Sequence, residues 1–436
     1  MNTSNKIGQI ELLPTQIEAI KHWKDKPFDQ SDVGVGKTFA ALGAYLASGC
    51  DKLLIICLAP KVTDFVEDAN LMGIEVTALN KGTSKNVELL SKSKRVAISF
   101  ESSWRVTELL GWVDKDTFIL IDEAHKVGVS KSKVTKFAMK LCKKTDYVRL
   151  LTATPVSNGK LENYYPLLYM LNVFRKPKKE FEELFVVKSM RQMGAMRFMQ
   201  ITGYTNEYLL QQMIDDVSIR FERNKGYYPQ DYVYKTKKPA YYNKLKKNRI
   251  YEDDWGNVVE LDNSSSLFNA LRQVSHGFIG NVLKEVSKEP FERLDAILET
   301  HNDERVVIFY NYQWEYMMLR QRLEKMKRPF GVYNGSTKDL NNFKKKDNGV
   351  VLAQYKSAST GINDFVIANV TVFNSMPLSS TEYIQAKGRT DRHGQDKTPI
   401  YYHIVPNTPI ENKVFETVSA GQDFTEKMIE SVDKYS

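Results

Sequence analysis

The sequence predicts an α/β protein with two parallel-sheet lobes, on three observations. Short apolar runs alternate with amphipathic helical stretches through residues 1–172, the alternation stops across 173–290, and it resumes over 291–436. These three stretches are the expected domains, and 436 residues is ample chain for them. With 42% hydrophobic and 26% charged residues the composition is that of a globular protein. No apolar run reaches the length of a membrane span, and the polar N-terminus lacks the apolar core of a signal peptide. Cys50, Cys57 and Cys142 have neither disulfide nor zinc spacing, which leads us to expect a reducing, cytoplasmic setting. A net charge of +9 favours polyanion partners.

In chain order, Leu12-Leu-Pro-Thr-Gln16 opens a short amphipathic helix toward Trp23. Gln16 reads either as a solvated helix residue or, beside a nucleotide, as an amide able to pair with the N6 and N7 edge of adenine. Ser31-Asp-Val-Gly-Val-Gly-Lys-Thr38 follows the phosphate-loop pattern except for its first residue, Ser in place of Gly. Gly34 and Gly36 free backbone N–H groups to face a phosphate, Lys37 sets an ammonium beside the outer phosphates, and the Thr38 hydroxyl suits a magnesium ion. A helix over 39–47 would turn its positive end to the same anion.

The apolar run Lys52–Leu58 is a buried strand ending in Ala59-Pro60-Lys61, with a helix over 62–72 and strands near 74–79 and 95–100 after it. Phe118-Ile-Leu-Ile-Asp-Glu-Ala-His125 puts two carboxylates at the C-terminal end of a strand. Asp122 suits a nucleotide's magnesium, and Glu123 suits orienting and deprotonating the attacking water. Arg149-Leu-Leu-Thr-Ala-Thr-Pro155 is a further strand ending in hydroxyl residues Thr152 and Thr154.

The middle is modestly basic, with tyrosines 227, 228, 232, 234, 241 and 242 among lysines. Two readings stand side by side: a stacking, backbone-tracking surface for nucleic acid, or tyrosines packing a small core of their own. Ser264-Ser-Ser266 reads as a loop or flexible link. Strands return at 305–310, 330–333, 350–354, 370–374 and 400–405, with a helix over 313–325. Arg389 and Arg392 are three residues apart, so a helical turn would put them on one face.

GVGKT, DEAH and LTATP, in that order, resemble the superfamily 2 helicases and translocases. The closer likeness is to the Swi/Snf-type branch of DNA-stimulated ATPases. It rests on residues 151–172 (LTATPVSNGKLENYYPLLYMLN), 271–280 (LRQVSHGFIG), 332–338 (VYNGSTK) and 385–395 (QAKGRTDRHGQ). Ser31 stands where that branch has an acidic residue, and Ser359-Thr-Gly-Ile-Asn363 is a shortened form of a more glycine-rich motif.

The resemblance implies two RecA-like lobes with a largely helical insertion between them. It implies ATP and Mg2+ as cofactors, with Gln16, Gly34, Gly36, Lys37, Thr38, Asp122 and Gln385 on the nucleotide. Glu123 would be the base, and Arg389 and Arg392 would reach the γ-phosphate across an interlobe cleft. DNA contacts would fall on Pro60, Lys61, Thr152, Thr154, Thr360, Gly361 and Asn363. Duplex DNA is the expected partner, with single strands or RNA as alternatives. The expected activity is that of an ATP-dependent, DNA-stimulated translocase, with a strand-separating DNA or RNA helicase and a non-translocating nucleotide-binding switch or scaffold as alternatives. The compact chain, with no reader domain at either end, looks like a phage or bacterial protein of replication, recombination or repair.

Overall fold

The computed structural model describes residues 5–154, 160–193, 196–222, 228–252, 258–279, 282–358, 364–392, 394–425 and 428. The chain divides into two compact units, Met1–Asn224 and Lys225–Ser436. Each is built on a seven-stranded sheet.

In the first unit every strand pairing in that sheet is parallel. The order across the sheet is Ser218–Ile219, Phe28–Asp29, Val148–Leu151, Thr117–Asp122, Lys52–Cys57, Arg95–Ser99, Thr77–Leu79. The central strands are continuous apolar runs because both faces are covered, as parallel sheets require. Alternate residues separate accordingly. Leu54, Ile56, Ile98, Ile119 and Ile121 enter one core, while Leu53, Ile55, Cys57, Phe118 and Leu120 enter the other.

The second sheet runs Gln230–Thr236, Ile400–Pro406, Val370–Phe373, Val306–Tyr310, Val350–Gln354, Phe330–Tyr333, Lys338–Asp339. Only the last pairing is antiparallel. Its two faces divide in the same way, with Val307 and Phe309 on one side and Val306, Ile308 and Tyr310 on the other.

The stretch 173–290, expected to be largely helical, is mixed. Helices such as Lys178–Phe185, Glu207–Asp215 and Ala240–Asn248 alternate with hairpins, the longest pairing Val186–Met193 with Met196–Tyr204. Valine- and aromatic-rich runs account for the strands. The stretch also supplies one strand to each large sheet, Ser218–Ile219 to the first and Gln230–Thr236 to the second.

The tyrosines there divide. Tyr242 is core, Tyr232 and Tyr234 stack on Tyr402 at centroid distances of 5.3 and 5.7 Å, and Tyr228 is exposed. Tyr227 lies outside the described residues. Ser264–Ser266, expected to be loop, instead starts the helix Ser264–Ser275. Asn263 caps it, its side chain accepting from the Ser266 N–H at 2.8 Å. Among the described residues no helix is long and apolar enough to cross a membrane.

Candidate active site

The strand Phe28–Asp29 delivers the phosphate loop. Asp29 and Arg149 are both buried, and Asp29 Oδ2 lies 3.2 Å from the Arg149 guanidinium. The second Asp29 oxygen accepts from the Ser31 N–H at 3.1 Å, and its carbonyl accepts from the Thr152 N–H at 3.0 Å. One ion pair therefore ties the loop to the strand Val148–Leu151. Ser31 is held from the opposite side too, its hydroxyl accepting from the Phe221 N–H at 3.0 Å.

Gly34 and Gly36 have φ of +86° and +81°, a conformation open to glycine at little cost. A Cβ on Gly36 would fall 2.0 Å from the Gln16 amide nitrogen. That nitrogen donates to the Gly36 carbonyl at 3.1 Å, and Gln16 Oε1 accepts from the Leu13 N–H at 2.8 Å. Buried Gln16 is thus a strut between the helix Pro14–Lys21 and the loop. The helix Lys37–Ser48 follows directly, with Thr38 in its first turn. Lys37 donates to the Ser31 and Asp32 carbonyls at 2.6 and 2.8 Å. Burial pulls its ammonium below the ordinary lysine range, while the charges of Asp29, Glu123 and Asp122 oppose that shift.

Asp122 closes the strand Thr117–Asp122, and Glu123 follows at φ +51°, ψ +50°. A glutamate in left-handed backbone costs on the order of 1 kcal/mol, strain of the kind that gathers at functional sites. The helix Lys61–Leu71 starts after the neighbouring strand, so its first residue reaches the pair. Lys61 Nζ lies 2.8 Å from Asp122 Oδ2 and 3.7 Å from Glu123 Oε1. On the other side, His125 Nδ1 lies 3.4 Å from Glu123 Oε2 and 3.1 Å from the Thr152 hydroxyl. Burial lowers the His125 pKa, with the Glu123 charge opposing, which favours the neutral ring.

These groups supply hard oxygen donors, the Thr38 hydroxyl and the Asp122 carboxylate, of the kind Mg2+ accepts alongside phosphate oxygens. An ammonium already sits on Asp122, so the position attracts a cation. Among the described residues no cluster of three or more His, Cys, Asp or Glu forms a metal cage. A metal here would be shared with the nucleotide.

In the second unit Gln385 and Arg389 are buried on the helix Ser380–Thr390. Asp391 leaves helical geometry at φ −100°, ψ +78°, so Arg392 lies beyond the helix. The expectation that spacing alone puts the two arginines on one helical face is therefore corrected. Gln395 clamps the turn that follows, donating to the Val366 and Ala368 carbonyls at 2.8 Å.

Of the residues expected on nucleic acid, Pro60 is exposed and Lys61 is turned to the acidic pair. Thr152 is buried, its hydroxyl also accepting from the Thr154 N–H at 3.1 Å. Thr360, Gly361 and Asn363 lie outside the described residues. Sequence reasoning missed the Asp29–Arg149 pair and the part played by His125. The only signal for His125 was its place two residues after Glu123.

A phosphate loop and an acidic pair at the C-terminal ends of one parallel sheet define a P-loop nucleotide-binding protein. Residues 31–276 match the SNF2-related domain and residues 289–394 the helicase conserved C-terminal domain. The chain belongs to the SNF2-related family. An uncharacterized ATP-dependent helicase of Mycoplasma genitalium is 25% identical over 92% of this chain and 40% of its own length. The uncharacterized ATP-dependent helicase YqhH of Bacillus subtilis is 23% identical over 97% of this chain and 80% of its own length. The chain thus spans about two fifths of the Mycoplasma relatives it matches. The Sulfolobus solfataricus SWI2/SNF2 ATPase core, solved in complex with double-stranded DNA, aligns over 98% of this chain and 96% of its own, with 16% identity and a TM-score of 0.45.

Proposed function

We propose that this protein is an ATP-hydrolysing motor stimulated by nucleic acid, with duplex DNA as its favoured track. The observation that carries the reading is the convergence of Gly34, Gly36, Lys37, Asp122 and Glu123 at the C-terminal ends of one parallel sheet. Bound there, Mg2+ would offset phosphate charge, held by Thr38 and Asp122. Lys37 would exchange its two carbonyl partners for phosphate oxygens. Glu123, flanked by Lys61 and His125, would take the proton of the attacking water. Arg389 and Arg392, from the second unit, would offset charge developing on the transferred phosphoryl group. Of the residues expected on nucleic acid, Pro60, Lys61, Thr154, Thr360, Gly361 and Asn363 would meet the backbone, with buried Thr152 set aside, making binding tolerant of sequence and sensitive to salt. A cytoplasmic role in replication, recombination or repair fits this reading.

The bacterial relatives are named as ATP-dependent helicases, which favours strand separation as a second reading. The test is ATP turnover with duplex DNA, single-stranded DNA and RNA as stimulators, followed by duplex unwinding and triplex displacement. We expect the largest stimulation with duplex DNA and triplex displacement without unwinding. Turnover indifferent to every nucleic acid would overturn the motor and leave a nucleotide-dependent switch.

A further inference from the structure

Lys61 was expected at a nucleic-acid surface, yet its ammonium lies against the nucleotide chemistry. It sits 2.8 Å from Asp122 Oδ2 and 3.7 Å from Glu123 Oε1, with 22% of its side chain still exposed. The phosphate-loop lysine is engaged elsewhere, on the Ser31 and Asp32 carbonyls. The acidic pair therefore takes its contacting ammonium from a residue outside the loop. Lys61 is also the first residue of its helix, next to exposed Ala59 and Pro60, so its long stem starts at the surface and turns inward.

We propose that Lys61 is a gate on the metal position. While its ammonium is on Asp122 it holds the carboxylate that the nucleotide's magnesium needs, and a nucleic-acid phosphate outside draws it away. An ammonium and a divalent cation compete for one carboxylate oxygen, because placing both there sets like charges within a few ångströms. Anything that binds the outward Lys61 then favours metal binding, and bound metal favours the outward Lys61 by the same factor. This makes Lys61 a positioning residue that couples nucleic acid to nucleotide. The phosphate half of the proposal rests on the nucleic-acid-stimulated reading above; the gate half does not.

The experiment uses the full chain and follows binding of a fluorescent ATP analogue as Mg2+ is titrated, first without nucleic acid. Lys61→Met keeps the stem and removes the charge. We expect its half-saturating Mg2+ to fall about fivefold or more, the lower end of ordinary coupling. Lys61→Arg should stay near wild type. Lys126→Met removes an exposed lysine close to the pair and should leave the half-point unmoved. A half-point unchanged in Lys61→Met, or lowered equally in Lys126→Met, overturns the gate. Thermal melting identifies any variant that fails to fold, and Lys61→Gln then stands in for it.

Duplex DNA is added next. It should lower the wild-type half-point and leave that of Lys61→Met where it was. If the gate is present but duplex DNA, single-stranded DNA and RNA, added in turn, all leave the wild-type half-point unmoved, the phosphate half fails together with the stimulated-motor reading. If DNA lowers both half-points equally, the motor reading stands and Lys61 is not its coupler.

Discussion

Both units set carboxylates at the C-terminal ends of their sheet strands, Asp122 and Glu123 in the first and Glu315 in the second, but what surrounds them differs. In the second unit Glu315 is fully buried among neutral donors. It accepts from the Asn311 and Tyr312 N–H groups at 3.0 and 3.2 Å, the Asn374 amide at 2.7 Å and the Ser375 hydroxyl at 2.9 Å. Asn311 follows the strand Val306–Tyr310, and Asn374 follows Val370–Phe373, so Glu315 pins two strand ends and its own helix together. In the first unit Asp122 and Glu123 both meet the Lys61 ammonium at the end of a flexible stem, and Glu123 also lies beside His125. A carboxylate with four fixed donors is architecture. On the reading proposed above, a pair held by an exchangeable ammonium would take a metal and a proton.

The same substitution in the two places should therefore do opposite things. Glu123→Gln should cut ATP turnover by roughly 10³-fold or more while nucleotide still binds and the melting temperature is kept. Steady-state turnover and analogue binding check it, and normal hydrolysis would remove Glu123 as the base. Glu315→Gln turns one acceptor into a donor facing donors, and should cost about 3 kcal/mol of stability. Urea unfolding reads that loss, and a variant as stable as wild type would erase the contrast.

A smaller effect separates the units by acid. Burial alone would raise the pKa of Glu411, but Arg272, with Nε 2.7 Å away, and His276 pull it down to about 2. Because the folded pKa is depressed, its contribution is complete above the unfolded carboxylate value of about 4.3. It is lost as pH falls from there through about 2. Stability followed between pH 5 and about pH 2 should show a loss that Glu411→Gln flattens. An unchanged acid profile in that variant would put the titration elsewhere.

Much of this was legible in the sequence because phosphate chemistry leaves short patterns. Gly34, Gly36, Lys37, Asp122 and Glu123 stand in two local runs, and the buried strands around them are continuous apolar stretches. What escaped reading depends on partners far away in the chain. Nothing beside Ser31 says that its hydroxyl receives the Phe221 N–H, and nothing beside Lys61 says that its ammonium turns to Asp122. Other differences are local. Asn263 caps the three serines into a helix, where their polarity suggests a loop, and the helix that carries Arg389 ends at Thr390, before the three-residue spacing to Arg392 is complete.

The two-residue pairing of Ser218–Ile219 with Phe28–Asp29 bears on how the chain can be cut. A first lobe expressed as residues 1–172 would leave Phe28–Asp29, the strand that carries the phosphate loop, as a bare sheet edge open to pairing with another chain. It would also strip Ser31 of the Phe221 N–H that holds it. An expressed fragment meant to keep the loop in shape and resist self-association should run past Phe221, and sealing that edge is a job for residues far from any motif.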